Sequence, residues 1–191
     1  MKLYGSKPSP YVRRLRLLMA EIEHEFVVVD IYAPKDRAML KKHNPTLKIP
    51  MLDDNTQIVL DSRVIFNYLA DKGLVESINV EQENLLTEVD AAGDSFVQMF
   101  LLKRSGIDTE ADALYFKLQR ERIEAVFEHL EHMVNTQAFK EWHFLCMSLF
   151  ALIDWLAFRE LFELSSYPNL MDFHQRCLSI ESVQQTDPRK D

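Results

Sequence analysis

Three short groups of residues have types and spacing suited to holding a small charged ligand. Asp61-Ser62 stands where a helix is expected to begin, and the free N–H groups of a helix start attract a carboxylate. Ile49-Pro50 precedes the apolar pair Met51-Leu52. Proline there cannot donate to a sheet ladder, and an X-Pro bond is the kind most readily cis, so the Ile49 backbone is left to pair with an extended peptide. Together these residues describe a slot for a small extended peptide with free α-amino and α-carboxyl ends. A hairpin followed by an N-cap serine accounts for the same residues without any ligand. The third group is Ser9-Pro10, where proline has the fixed φ of a first helical position and Ser9 is the natural cap before it.

Other groups of reactive side chains read as structural. Arg13, Arg14 and Arg16 form a basic cluster expected on the solvated face of the first helix. His129 and His132, beside Glu128 and Glu131, lie three residues apart, but no third ligand is marked out, so a surface helix is expected and no metal. Cys146 and Cys177 are the only cysteines and stand among apolar or helical residues. They make neither a CxxC pair nor a disulfide scaffold, and small core residues in a reducing cytoplasm are expected.

The elements that must position these groups follow from periodicity. Lys2-Leu3-Tyr4 is a minimal strand, and Gly5 to Pro10 is a loop of turn formers. Val12, Leu15, Met19 and Ile22 then lie on one helical stripe, and Phe26-Val27-Val28-Val29 reads as a strand buried on both faces. A right-handed crossover makes the two strands parallel. Pro34 to Lys42 is a short polar helix or helical turn. Met51-Leu52 and Ile58-Val59-Leu60, joined by Asp53-Asp54-Asn55-Thr56, make a hairpin, and Ser62 to Lys72 is a helix with Val64, Ile65, Tyr68 and Leu69 inward. This βαβ then ββα order is thioredoxin-like.

After Gly73 the pattern is helical throughout. Val80 to Lys103 repeats apolar residues at Leu85, Val89, Ala92, Phe96 and Met99, and Ala111 to Val134 does so at Leu114, Leu118, Ile123, Val126 and Leu130. Phe144 to Phe162, almost wholly apolar, is the expected centre of a bundle, with shorter helical pieces near Leu170 to Leu178 and a polar tail from Gln184. The 191 residues, 47% hydrophobic, suffice for one large or two small packed domains. A net charge of −8 disfavours a general nucleic-acid binder. The chain starts without an apolar leader, and its longest apolar run is stopped at Asp154, so neither secretion nor a membrane span is expected.

A thioredoxin-like half joined to a helical half resembles the cytosolic glutathione transferases, and particular residues carry the likeness. Ser9-Pro10-Tyr11-Val12-Arg13 resembles the opening of helix one in small bacterial members. Asn44-Pro45 with Ile49-Pro50-Met51-Leu52 resembles their cis-proline segment, and Asp61-Ser62 resembles their Glu/Asp-Ser pair. Asp154 to Arg159 and Glu181 to Pro188 resemble the last helices of a YibF-like subgroup. The resemblance implies an α/β plus all-α chain, with a thioredoxin-like glutathione-binding domain at 1–75 and an all-helical domain at 80–191. It implies glutathione as co-substrate, its cysteinyl unit on the Ile49-Pro50 backbone and its γ-glutamyl amine and carboxylate held by Asp61 and Ser62. Ser9 would face the sulfur, stabilise the thiolate and be the catalytic residue in conjugation or thiol exchange with a small electrophile or disulfide. A cytoplasmic homodimer is implied too. The same architecture occurs in stringent starvation protein A, a non-catalytic partner of RNA polymerase, although the Ser-Pro-x-x-Arg opening favours the enzyme. One departure from the family lies at His143-Phe144-Leu145-Cys146, where a Ser/Thr-x-x-Asp capping box is usual.

Overall fold

Strand β1 (Lys2–Gly5) presents Leu3 and Gly5 to one side and Tyr4 to the other, because successive side chains of a strand alternate. The computed structural model describes residues 1–190. Its single sheet adds β2 (Glu25–Val28), β3 (Met51–Asp53) and β4 (Ile58–Leu60), in the order β2-β1-β3-β4. β1 runs parallel to β2 and antiparallel to β3, which is antiparallel to β4. Leu3 pairs with Leu52 and Leu52 with Val59, so these three buried residues share one face. Tyr4, Met51 and Leu60 share the other and pack with Val29 and Leu40, the latter from α2 (Pro34–His43).

Helix α1 (Pro10–Leu18) and α3 (Ser62–Asp71) pack against each other, α3 also lying on β3 and β4. Gly5 allows α1 its approach to β1: a Cβ there would meet Val12 Cγ1 at 2.5 Å and Cγ2 at 2.6 Å. At the far end of α3, Asp54 in the hairpin turn accepts hydrogen bonds from Tyr68 and Lys72. The Lys72 ammonium, followed by the Tyr68 hydroxyl, holds the Asp54 carboxyl below its ordinary pKa.

Three sequence expectations are corrected here. Phe26 to Val29 is not buried on both faces: β2 is an edge strand and Val28 is 57% exposed, since a β-branched run suits any pleated, half-buried surface. In α3 the inward stripe is Ser62, Ile65, Phe66 and Leu69, while Val64 is exposed. Arg13 and Arg14 are buried rather than solvated.

Contacts divide the chain into two compact units, Met1–Ser77 together with Leu178–Asp191, and Ile78–Cys177. The final segment groups with the first unit. It holds helix α8 (Glu181–Gln185), which overlaps the start of the polar tail expected from Gln184. Arg13 Nη2 donates to Val183 O at 3.3 Å, and Val183 is buried.

The second unit comprises α4 (Val80–Arg104), α5 (Leu114–Met133), a 3-10 turn (Gln137–Phe139), α6 (Phe144–Arg159) and α7 (Pro168–Cys177). Asn79 and Gln82 form a reciprocal capping box at the start of α4. The buried stripe of α5 is Phe116, Gln119, Ile123, Phe127 and Leu130, so Leu114 and Leu118, expected inward, are exposed. Every residue of α6 from Phe144 to Leu156 is buried. Its cap His143 makes no capping side-chain bond, and the Cys146 thiol donates to Glu141 O at 3.0 Å. Inside the unit, His174 Nε2 meets Asp154 Oδ1 at 2.8 Å, and the imidazole stacks on Phe150 at 5.3 Å. The buried Asp154 carboxylate thus has the partner that burial of a charge requires.

Two outcomes follow from this packing. Gly5→Ala should lower stability by roughly 1–3 kcal/mol through overpacking against Val12, and adding Val12→Ala should recover part of that loss, as thermal melts of the single and double variants will record. Burial pushes both the Cys146 and Cys177 thiols up to about 12. At pH 8, where a free thiol near about 8.5 is partly thiolate, both should therefore resist iodoacetamide in the native protein and label in denaturant. Mass spectrometry of the labelled chain reads the difference.

Candidate functional site

The sheet register brings the separate sequence clusters to one place. Tyr4 pairs with Met51, and Met51 with Leu60, so the end of β1, the start of β3 and the end of β4 lie at the same end of the sheet. The loop carrying Ser9 leaves from the first, Ile49-Pro50 enters the second, and Asp61-Ser62 leaves the third.

Ser9 is the N-cap of α1, with extended backbone at φ −77° and ψ 126°, followed by Pro10 in the first turn. Its Oγ accepts from Val12 N at 3.4 Å, so the hydroxyl hydrogen is available for a further acceptor. The first turn of α1 holds no acidic residue, and an anion beside Ser9 would meet the positive end of the helix.

The Ile49-Pro50 bond is cis. The loop before it is built on Asn44, which is 1% exposed. Asn44 Nδ2 donates to Lys48 O at 2.7 Å, while its Oδ1 accepts from Thr46 N at 2.9 Å and Thr46 Oγ1 at 2.6 Å. Leu47 takes φ 55° within this turn. Among the described residues, no backbone hydrogen bond engages Ile49 N–H or C=O. Asn44 thus shapes the segment by one side chain with three bonds; the sequence marks it only as the first residue of Asn44-Pro45.

Asp61 is the N-cap of α3, and Ser62 is its first helical residue, one position inward of the cap expected for it. Asp61 sits at φ 71° and ψ 141°, a backbone conformation that a non-glycine residue holds at a cost of about 1–3 kcal/mol and that is frequent at functional sites. Its Oδ1 accepts from Arg63 N at 2.8 Å and Val64 N at 3.4 Å, and its carboxylate is exposed at the sheet end. Ser62 is buried and accepts at 2.6 Å from Arg14 Nη2. The sequence treats Arg14 as a surface cation; its place at this cluster has no local signal, since Arg14 and Ser62 are 48 residues apart.

The remaining candidates take structural parts. His129 Nδ1 meets Glu88 Oε2 at 2.7 Å, and Glu131 accepts from Asn169 N and Leu170 N at the start of α7. Among the described residues no group of three His, Cys, Asp or Glu side chains is arranged to hold a metal ion. No helix among them is long and apolar enough to cross a membrane.

The helical unit has a cavity of its own, about 390 Å3, walled by Phe96, Met99, Phe100, Ile123, Phe162 and Tyr167. That volume falls within the range of about 300–1,000 Å3 usual for small-molecule sites. Burial, then the carboxylates of Glu128, Glu124 and Glu131, raises the Tyr167 phenol above its ordinary pKa, so its hydroxyl is kept as a donor.

Comparison with known proteins agrees with this architecture. Residues 3–73 match the family described as glutathione S-transferase, N-terminal domain. A glutathione S-transferase of Hypomyces subiculosus is 40% identical over 73 residues, which are 38% of this chain and 34% of that protein, so the match spans about a third of the relative's length. A glutathione S-transferase of Methylobacillus flagellatus KT, solved with glutathione bound, superposes with a TM-score of 0.83 at 21% identity over 98% of each chain. A glutathione transferase family member of Pseudomonas fluorescens Pf-5, also solved with bound glutathione, gives 0.83 at 24% identity over 98% of each chain. The thioredoxin-like sheet domain followed by a helical domain is the glutathione transferase fold, and residues 3–73 match that family's N-terminal domain.

Proposed function

We propose that this chain is a glutathione transferase of the small bacterial, YibF-like kind, joining or exchanging the thiolate of glutathione with a small electrophile or disulfide. The observation that carries this is the arrival of Ser9, Ile49-Pro50 and Asp61-Ser62 at one end of the sheet, fixed by the Tyr4, Met51 and Leu60 register. Three chemically different needs of a γ-glutamyl tripeptide are met there. The backbone of Ile49 pairs with the extended cysteinyl unit beside Pro50. The Asp61 carboxylate takes the α-ammonium, and the Ser62 hydroxyl with the α3 N-terminus takes the α-carboxylate.

Ser9 then acts on the sulfur. Its oxygen already accepts from Val12 N, so its hydrogen goes to the thiolate. A hydrogen bond to a charged group contributes about 1.5–3 kcal/mol, equivalent to lowering the thiol pKa by about one to two units from about 8.5. The thiolate attacks the electrophilic atom of the second substrate, its electron pair forming the new bond while the leaving group departs with the old one. Ser9 stays non-covalent and aids most where sulfur charge resides. The assembly we propose is a cytoplasmic homodimer, closed two-fold pairing being the commonest assembly.

Retention on immobilised glutathione separates this reading from a non-catalytic partner protein. Asp61→Asn keeps a cap oxygen but removes the charge, so it should weaken glutathione binding by roughly 1–3 kcal/mol in isothermal titration while leaving the melting temperature nearly unchanged. Unchanged affinity would reduce Asp61 to a cap. Ser9→Ala should lower turnover more than affinity and move the bound thiol's ultraviolet titration upward by about one to two units. A titration curve that stays in place would remove Ser9 from the catalytic role.

A further inference from the structure

Arg14 projects from α1 into the first unit with only 4% of its surface exposed, and its guanidinium Nη2 donates to Ser62 Oγ at 2.6 Å, Ser62 itself being 1% exposed. A guanidinium has donors and no acceptor, so in this bond the hydroxyl is the acceptor and its own hydrogen is directed elsewhere. A hydroxyl whose lone pair is engaged by a cation is polarised into a stronger donor. The charge of Arg14 adds to the positive end of α3, where Ser62 is the first helical residue. Donor and potential together favour a carboxylate over a neutral amide of the same shape. The Tyr11 ring, its centroid 5.2 Å from the Arg14 guanidinium carbon, supports the cation from α1 itself. The adjacent Arg13 turns to Val183 O instead, so the two neighbouring arginines serve different ends.

We propose that Arg14 is a positioning residue that acts through Ser62, directing its hydroxyl and supplying the charge by which the site selects a ligand's α-carboxylate. This rests on Ser62 being a glutathione residue, and the experiment is built so that the two claims fail differently.

Isothermal titration of the full chain uses two probes: glutathione, and glutathione whose γ-glutamyl α-carboxylate is converted to the amide. The proteins are wild type, Arg14→Gln, Arg14→Lys, Ser62→Ala, and each Arg14 change combined with Ser62→Ala, with a thermal melt of each. Wild type should prefer the carboxylate by about tenfold or more, the lower end of a hydrogen bond to a charged group. Arg14→Gln should bring that preference close to unity. In the Ser62→Ala background the same change should cost several-fold less glutathione affinity than it does in wild type, the remainder being the charge of Arg14 acting at the α3 N-terminus, because groups acting as one unit are not additive. Arg14→Lys keeps a cation without the planar fork and should retain an intermediate preference. If Arg14→Gln does not fold, Arg14→Lys with and without Ser62→Ala decides. Equal losses for both probes, or an Arg14 effect undiminished in the Ser62→Ala background, would make Arg14 a structural residue only and overturn the inference while glutathione binding stands. Absence of binding to either probe by the wild type would overturn both.

Discussion

The pairing of Leu3 with Leu52 and of Leu52 with Val59 is the constraint on which the first unit depends. A slip of one residue in either pair would turn these buried side chains to the opposite face and bring Tyr4, Met51 and Leu60 with them. Because both faces are packed, the α1 and α3 side and the Val29, Leu40 and Met51 side, such a slip gains nothing on either. Register is therefore held by burial, and the same register sets the ends of β1, β3 and β4 level. The site is a by-product of core packing in this sense: three loops are brought together by apolar residues that touch no ligand.

What stands at that end of the sheet carries backbone strain and buried charge. Asp61 holds a strained backbone, and two buried arginines keep their charge inside the unit. A buried cation persists only where hydrogen bonds replace water, and Arg14 and Arg13 have theirs at Ser62 and Val183. The unit therefore keeps, at the end that carries the candidate site, features that a structure selected for stability alone would replace with apolar side chains.

The helical unit solves a different problem. Helix α6 is buried over thirteen consecutive residues, so it has no solvated face, and its one carboxylate, Asp154, is matched by His174 from α7. Glu131 of α5 caps the start of α7 with both carboxylate oxygens, one on each of two backbone N–H groups. Polar side chains here tie helices to one another. The aromatic residues Phe96, Phe127, Phe162 and Tyr167 meet edge-on or offset, and Phe96, Phe162 and Tyr167 also wall the small cavity.

Much of this was legible locally. Ser9-Pro10 as a helix start, the Asp53 to Thr56 turn with Asn55 at φ 61°, the order of strands and helices, and the central place of α6 all follow from turn chemistry, capping and periodicity within a few residues. The positions of the candidate clusters Ile49-Pro50 and Asp61-Ser62, at a strand mouth and a helix start, were legible for the same reason. Tertiary structure alone decided which side of an ambiguous pattern went inward: Val28 and Val64 out, Leu114 out and Phe116 in. Side-chain type states how much burial is worth, while direction depends on a neighbouring element many residues away. The burial of Arg14 against Ser62 and of α8 against Arg13 belongs to the same class, with partners 48 and 170 residues apart. Charge in a sequence reads as solvated, and only a folded neighbour that supplies hydrogen bonds makes its burial affordable.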